Sequence, residues 1–181
     1  MTFETIDSET VFKGKVFNVR RDRLSLPNGE QTDIDVVEHS GAVTLLPIDD
    51  QGKVWLVRQY RHPAKSELLE LPAGVINKDE TPEACARREI REEIGMSARE
   101  LLKLGEFFMA PGYSSEYMYV FLATGLNPDP LQADEDEFLS VEKIPLDQLY
   151  QMAEQGEIRD SKTLAVLFLA RSQAGAHLDR S

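Results

Sequence analysis

In the stretch GVINKDETPEACARREIREEIGM, residues 74–96, three carboxylates, Glu89, Glu92 and Glu93, fall within five residues of one another. The segment reads as a helix, and the three acids occupy its last two turns. Like charges spaced i,i+4 repel, and carboxylates at a helix C-terminus oppose the macrodipole. Each effect costs a few tenths to about 1 kcal/mol, so a positive partner is expected there. Oxygen donors on the edge of a helix and a loop suit Mg²⁺, with Mn²⁺ as a substitute, because such ions keep several waters and bind beside substrate phosphates. Zinc is disfavoured: Cys85 and the scattered His39, His62 and His177 have no ligand spacing.

The helix that must carry these acids has clear ends. Thr81 suits the N-cap, Pro82 the first helical position and Gly95 the position just past the end. Ala86, Ile90 and Ile94 lie within roughly 80° of one another and form its packing face. Glu93, Glu89 and Glu92 fan out beside that face, bordering the core. Two further helices are expected over 146–155 and 161–172. Strands are expected on both sides of Pro27-Asn28-Gly29, a hairpin signal. GAVTLLPID and KVWLVRQYR read as a second strand pair about the turn Asp49-Asp50-Gln51-Gly52. Further strands are expected in ELLELPAG, ELLKLGEFFMA, EYMYVFLATGL and EFLSVEKI. Such a mixture, neither a regular βαβ alternation nor all β, is α+β.

The 181 residues suffice for one domain with a core and a small added element. The net charge of −12 repels a nucleic-acid backbone, so no nucleic-acid partner is expected, and an anionic substrate needs local arginines or bound cations. No apolar run approaches the roughly 20 residues that span a bilayer, and Met1-Thr2-Phe3-Glu4 is not a signal peptide, so no membrane partner and a cytoplasmic location are expected. The single Cys85 excludes an internal disulfide. Disorder is expected only for the first few residues and the polar tail beyond Arg171.

Gly74, Glu80 and REIREEIGM (Arg88 to Met96) together resemble the signature of the Nudix hydrolases, with all nine fixed positions present over 23 residues. The resemblance implies a Nudix α/β/α sandwich and Mg²⁺-dependent cleavage of a nucleoside diphosphate linked to another group. It implies Glu89 and Glu93 as the main metal ligands and Glu92 as a further ligand or a group behind them. Arg88 would be an orienting ion-pair partner and Glu80 a supporting carboxylate.

Outside that stretch the chain resembles the ADP-ribose pyrophosphatase branch. ELPAG, residues 70–74, is typical of it, and the Ala73 carbonyl is by resemblance another metal ligand. Pro111 lies 15 residues beyond Met96, where the branch carries a proline, and GEIRDSKTLAVLFLA is similar to its closing helix. The implied reaction is hydrolysis of ADP-ribose to AMP and ribose 5-phosphate. Alternatives are another nucleoside diphosphate sugar such as GDP-mannose, or a silent ADP-ribose sensor. Intact metal carboxylates speak against the sensor, and a Ca²⁺-binding scaffold would need an EF-hand loop that is absent.

Other residues keep two readings each. Arg58 and Arg61 end a strand that the family places beside substrate, where a planar guanidinium fits a diphosphate; surface ion pairing is the alternative. Glu116 suits ribose hydroxyls or plain solvation, and Tyr113 a cover over substrate or packing. By resemblance the catalytic base is a Glu on a mobile loop before a short strand. Glu137 in DEFLSV matches that place, with Glu135 as runner-up. Such a base can close over substrate when metals and diphosphate are present.

The resemblance implies an N-terminal β-strand dimerisation region over 1–40, a β-hairpin element exchanged in a homodimer, followed by a Nudix hydrolase domain over 41–172 and a polar tail over 173–181. Phe12 and Phe17 are candidates for base stacking, with strand packing as the alternative. Trp55, the only tryptophan, reads as core.

Overall fold

The computed structural model describes residues 2–132 and 138–171. The chain divides into two compact units, Met1–Gly41 with Phe107–Tyr117, and Ala42–Glu106 with Met118–Ser181. In the first unit β1 (Glu4–Lys13), β2 (Asn18–Ser25) and β3 (Gln31–Glu38) form an antiparallel sheet in that order. The β2–β3 turn is the expected one: Gly29 takes φ +85° and its N–H donates to the Leu26 carbonyl at 2.9 Å. Arg21 stands opposite Asp35 and Arg23 opposite Asp33, giving cross-strand charge pairs on exposed positions. Segment 107–117 belongs to the same unit, with Val37 N–H on the Tyr113 carbonyl at 2.8 Å.

The N-terminal strand region expected over 1–40 opens with the ten-residue β1, every position of which is exposed. A strand with no buried side has no apolar/polar alternation to betray it. Phe12 and Phe17 are also exposed, with ring centroids 6.2 Å apart, so packing within the unit does not cover them.

The second unit holds β4 (Ala42–Pro47), β5 (Lys53–Arg61), β6 (Ser66–Glu70), β7 (Ala73–Val75), α1 (Pro82–Glu93) and most of β8 (Met96–Phe108) and β9 (Tyr117–Pro128). It also holds β10 (Leu139–Pro145), α2 (Leu146–Glu154) and α3 (Ser161–Ala170). One sheet runs β7-β4-β9-β8 and the other β10-β5-β6, with β4 parallel to β9. The fold is α+β, as expected. GAVTLLPID and KVWLVRQYR do not pair along their length: β4 and β5 lie in different sheets, and the two stretches meet beside the turn, at the bridge Ile48–Val54 and at Asp49 N–H on the Lys53 carbonyl, 3.0 Å. All six residues of β4 are buried between neighbours, so the chain leaves that sheet through the turn at Gly52, φ +71°. Trp55 sits half-buried at the rim of the core, its indole N–H on Asp49 at 3.0 Å and Lys143 over its ring.

The core that positions α1 joins Val43, Leu45 and Val57 to Ala86, Ile90, Ile94 and Phe121. Each buried isoleucine contributes about 1.5–3 kcal/mol, enough to hold α1 despite its acidic end. No helix among the described residues is long and apolar enough to cross a membrane.

Candidate active site

The helix begins as its residues dictate. Thr81 Oγ1 accepts from Ala84 N–H at 3.2 Å, Pro82 follows, and Gly95 closes the end at φ +69°. The preceding loop is tied back on itself, with Asn77 N–H donating to Glu80 at 3.0 Å and Glu80 N–H to the Asn77 carbonyl at 3.1 Å.

Arg88 is the first positive group to answer the acidic cluster. Its guanidinium forks onto Glu80 with two 3.0 Å bonds, and Nη1 reaches Glu89 at 2.5 Å and Glu92 at 2.7 Å. Arg88 thus serves three carboxylates, and Glu93 beside them makes a fourth whose charge acts on Arg61, so negative charge outweighs positive charge here. Hydrogen bonding from Arg88 holds the Glu80 carboxyl down at about 2, and the same bonds raise Arg88. A carboxyl depressed in the fold stabilises it fully above the unfolded value of about 4.3, and that stability fades as pH falls towards 2. Glu80→Gln should therefore be less stable than the wild type by about 1–2 kcal/mol at pH 7, with the gap closing below pH 4. Parallel stability curves in denaturant melts across that range would contradict the pairing.

Glu89 and Glu93 are buried, 7% and 8% exposed. Glu93 accepts from Ala73 N–H at 3.0 Å, which joins the helix to β7. Gly74 makes room for Glu89: a Cβ built there would lie 1.8 Å from the Glu89 carboxyl carbon. The absent side chain is a cradle into which the carboxylate fits. Among the described residues no three His, Cys, Asp or Glu side chains gather as a metal cluster. The two buried carboxylates, and the oxygens of Glu92 and Ala73 expected to act with them, are hard donors by type. Oxygen donors of this kind fit a hard divalent cation that completes its shell with water and phosphate, and do not fit a closed zinc site.

Cys85 lies fully buried beneath the cluster, its thiol pushed up to about 12 by burial first and by the Glu89 charge second. It is held as a thiol against the Val75 carbonyl at 3.5 Å. A disulfide reagent at pH 8 should leave the native protein unlabelled and modify one thiol per chain in denaturant; fast native labelling would show the helix–β7 seam to be open.

The arginines expected beside substrate are both engaged. Arg58 Nε donates to Glu142 at 2.5 Å, and Arg61 forks onto Glu70 at 2.8 and 2.7 Å. Arg61 lies in the same unit as the acidic helix and feels the Glu93 charge. Pro111, Tyr113 and Glu116 fall in the other compact unit, Pro111 and Tyr113 exposed and Glu116 partly buried. Glu137 and Glu135 lie outside the described residues. Sequence reasoning missed Glu70 and Lys162. Glu70 is 1% exposed, and buried Lys162 contacts it while standing 3.0 Å from Asp160. The available signal was a lysine at i with Val166 and Ala170 at i+4 and i+8, on the buried face of an apolar helix.

A Nudix domain match covers residues 38–167, and a nucleoside diphosphate sugar hydrolase N-terminal domain match covers residues 3–34. The chain belongs to the Nudix family. An ADP-ribose pyrophosphatase of Bacillus subtilis (strain 168) is 37% identical over 94% of this chain and 94% of its own. One of Mycobacterium tuberculosis (strain ATCC 25618 / H37Rv) is 39% identical over 90% of this chain and 80% of its own. A GDP-mannose pyrophosphatase of Yersinia pestis (strain Pestoides F) is 34% identical over 93% and 91%. The crystal structure of an ADP compounds hydrolase superposes with TM-score 0.88 and 28% identity over 98% of this chain and 96% of that one. The Nudix helix is thus α1, and the Nudix loop is the segment from Gly74 to Glu80 that Arg88 ties to it.

Proposed function

We propose that this Nudix protein hydrolyses the diphosphate of ADP-ribose to AMP and ribose 5-phosphate, with Mg²⁺ or Mn²⁺, as a cytoplasmic homodimer. The observation that carries the reading is the pair of buried carboxylates, Glu89 and Glu93, set against Gly74 and Ala73. Glu89, Glu93, Glu92 and the Ala73 carbonyl would hold the metal. When bound, Mg²⁺ supplies neutralisation of the diphosphate oxygens and a lowered pKa for attacking water. Arg88 keeps Glu89 and Glu92 in place. Arg61, whose planar fork suits a diphosphate, binds it, whereas Arg58 points to the other face of β5, towards Glu142. Glu137 takes the proton of the water that attacks phosphorus, the bond to the bridging oxygen breaks, and the bridging oxygen leaves on the other phosphate.

ADP-ribose is preferred to GDP-mannose because the relatives named for it share 37% and 39% identity, against 34% for the GDP-mannose pyrophosphatase. The fully exposed β1 and the uncovered Phe3, Ile6 and Phe12 support a second copy as partner. Incubation with ADP-ribose, GDP-mannose and Mg²⁺, with products resolved by ion-exchange chromatography, tests the reading. AMP and ribose 5-phosphate should form from ADP-ribose faster than GMP forms from GDP-mannose. Preferred turnover of GDP-mannose, or no AMP, would overturn it.

A further inference from the structure

Glu70, at the end of β6, has two cationic partners where one would neutralise it. Arg61 comes from the end of β5 and reaches both carboxylate oxygens with its side chain 42% exposed. Lys162 comes from the first turn of α3, is 6% exposed, and is fixed by Glu70 and Asp160 together. Asp160 in turn caps α3 through Thr163 N–H at 2.9 Å and accepts from the Thr163 hydroxyl at 2.6 Å. That hydroxyl accepts from Leu71 N–H at 2.9 Å, so α3 is bolted to the chain between Glu70 and Ala73. Lys162 cannot leave this lattice without stranding a buried charge, whereas Arg61 has a solvent-facing route and lies in the field of Glu93.

We propose that Lys162 is a positioning residue that neutralises Glu70 so that Arg61 can leave it for the substrate diphosphate. The inference rests on the reading of Arg61 as a diphosphate ligand. In the free protein Glu70 holds both cations and parks Arg61 against random sampling of rotamers. When an anion arrives, the guanidinium transfers from one set of oxygens to another, and Glu70 remains a paired carboxylate because Lys162 stays. Without Lys162, each substrate-binding event would leave Glu70 buried and unpaired, so Arg61 would remain trapped on it. Arginine suits the moving part because its planar fork fits carboxylate and phosphate alike, and lysine suits the fixed part as a compact charge.

Steady-state kinetics with ADP-ribose and calorimetric binding of its α,β-methylene analogue test this in Lys162→Met, Glu70→Gln and the double variant, each checked for folding by thermal melting. Lys162→Met should weaken analogue binding and raise KM by about tenfold, with kcat within about threefold of wild type. Glu70→Gln should bind the analogue at least as well as the wild type, because Arg61 is released while Lys162 keeps Asp160. The double variant should recover wild-type affinity to within about threefold, since Glu70 and Lys162 lose their charges together and Asp160 keeps its bonds from Thr163 N–H and hydroxyl. A bridge that only holds the fold, or a Glu70 that must orient Arg61 throughout, requires Glu70→Gln to weaken binding and the double variant to be no better than Lys162→Met; either result overturns the proposal. Should Lys162→Met not fold, the Glu70→Gln and double-variant affinities decide alone. Wild-type protein that fails to bind the analogue would overturn the ADP-ribose reading and this proposal together, whereas binding by the wild type with the wrong variant pattern overturns this proposal only.

Discussion

Glu93→Gln is expected to fold, to bind ADP-ribose near wild-type affinity and to lose at least about 10³-fold in kcat. Glutamine is nearly isosteric and still offers Ala73 N–H an oxygen, so the 3.0 Å bond between the Nudix helix and β7 survives. What disappears is a buried negative charge, and with it the attraction for a divalent ion that the chemical step needs. Removing an interaction used in the transition state lowers kcat and kcat/KM together and leaves ground-state binding largely intact. Loss of affinity equal to the loss of kcat would instead make Glu93 a substrate-binding group. Wild-type turnover would refute its role altogether.

Gly74→Ala is expected to reduce kcat/KM by at least about 100-fold, although it adds a single methyl group. The backbone at Gly74 has no positive φ, so conformational strain is not the reason. The obstacle is space: the new Cβ would stand 1.8 Å from both Cδ and Oε1 of Glu89, far inside van der Waals contact. Glu89 is buried and bonded to Arg88 at 2.5 Å, so moving it pulls on the ties to Glu80 and Glu92 as well. The fold should lose about 1–3 kcal/mol, as overpacked sites do, and Mn²⁺ affinity measured by electron paramagnetic resonance should fall with activity. An alanine variant with undiminished Mn²⁺ affinity would mean that Glu89 does not need the cradle.

Much of the site was readable before any coordinates, because its information is local. Thr81, Pro82 and Gly95 mark the ends of α1, and the spacing of Ala86, Ile90 and Ile94 orients it, which leaves Glu89 and Glu93 on the border of the core. The Asn28-Gly29 turn likewise lies in a short window and carries its own backbone requirement. What was not readable depends on contacts between distant segments. Glu70 and Lys162 are 92 positions apart, and nothing near either residue says that the other neutralises it. The separation of β4 from β5 depends on the partners each finds, β9 and β7 for one, β10 and β6 for the other. Arg61 suits a diphosphate by type, but its carboxylate partner Glu70 arises only when β5 and β6 pair. The positive partner expected for the acidic helix is met in part by an arginine within it, Arg88, and the proposed reading leaves the rest of that demand to a divalent ion.

That demand is the central claim, and calorimetric titration of Mg²⁺ and Mn²⁺ into the protein with the α,β-methylene analogue of ADP-ribose present tests it most directly. The account predicts saturable uptake by the wild type and its loss in Glu89→Gln and Glu93→Gln, with thermal melts showing both variants folded. Absence of uptake by the wild type, or equal uptake by the two variants, would contradict it.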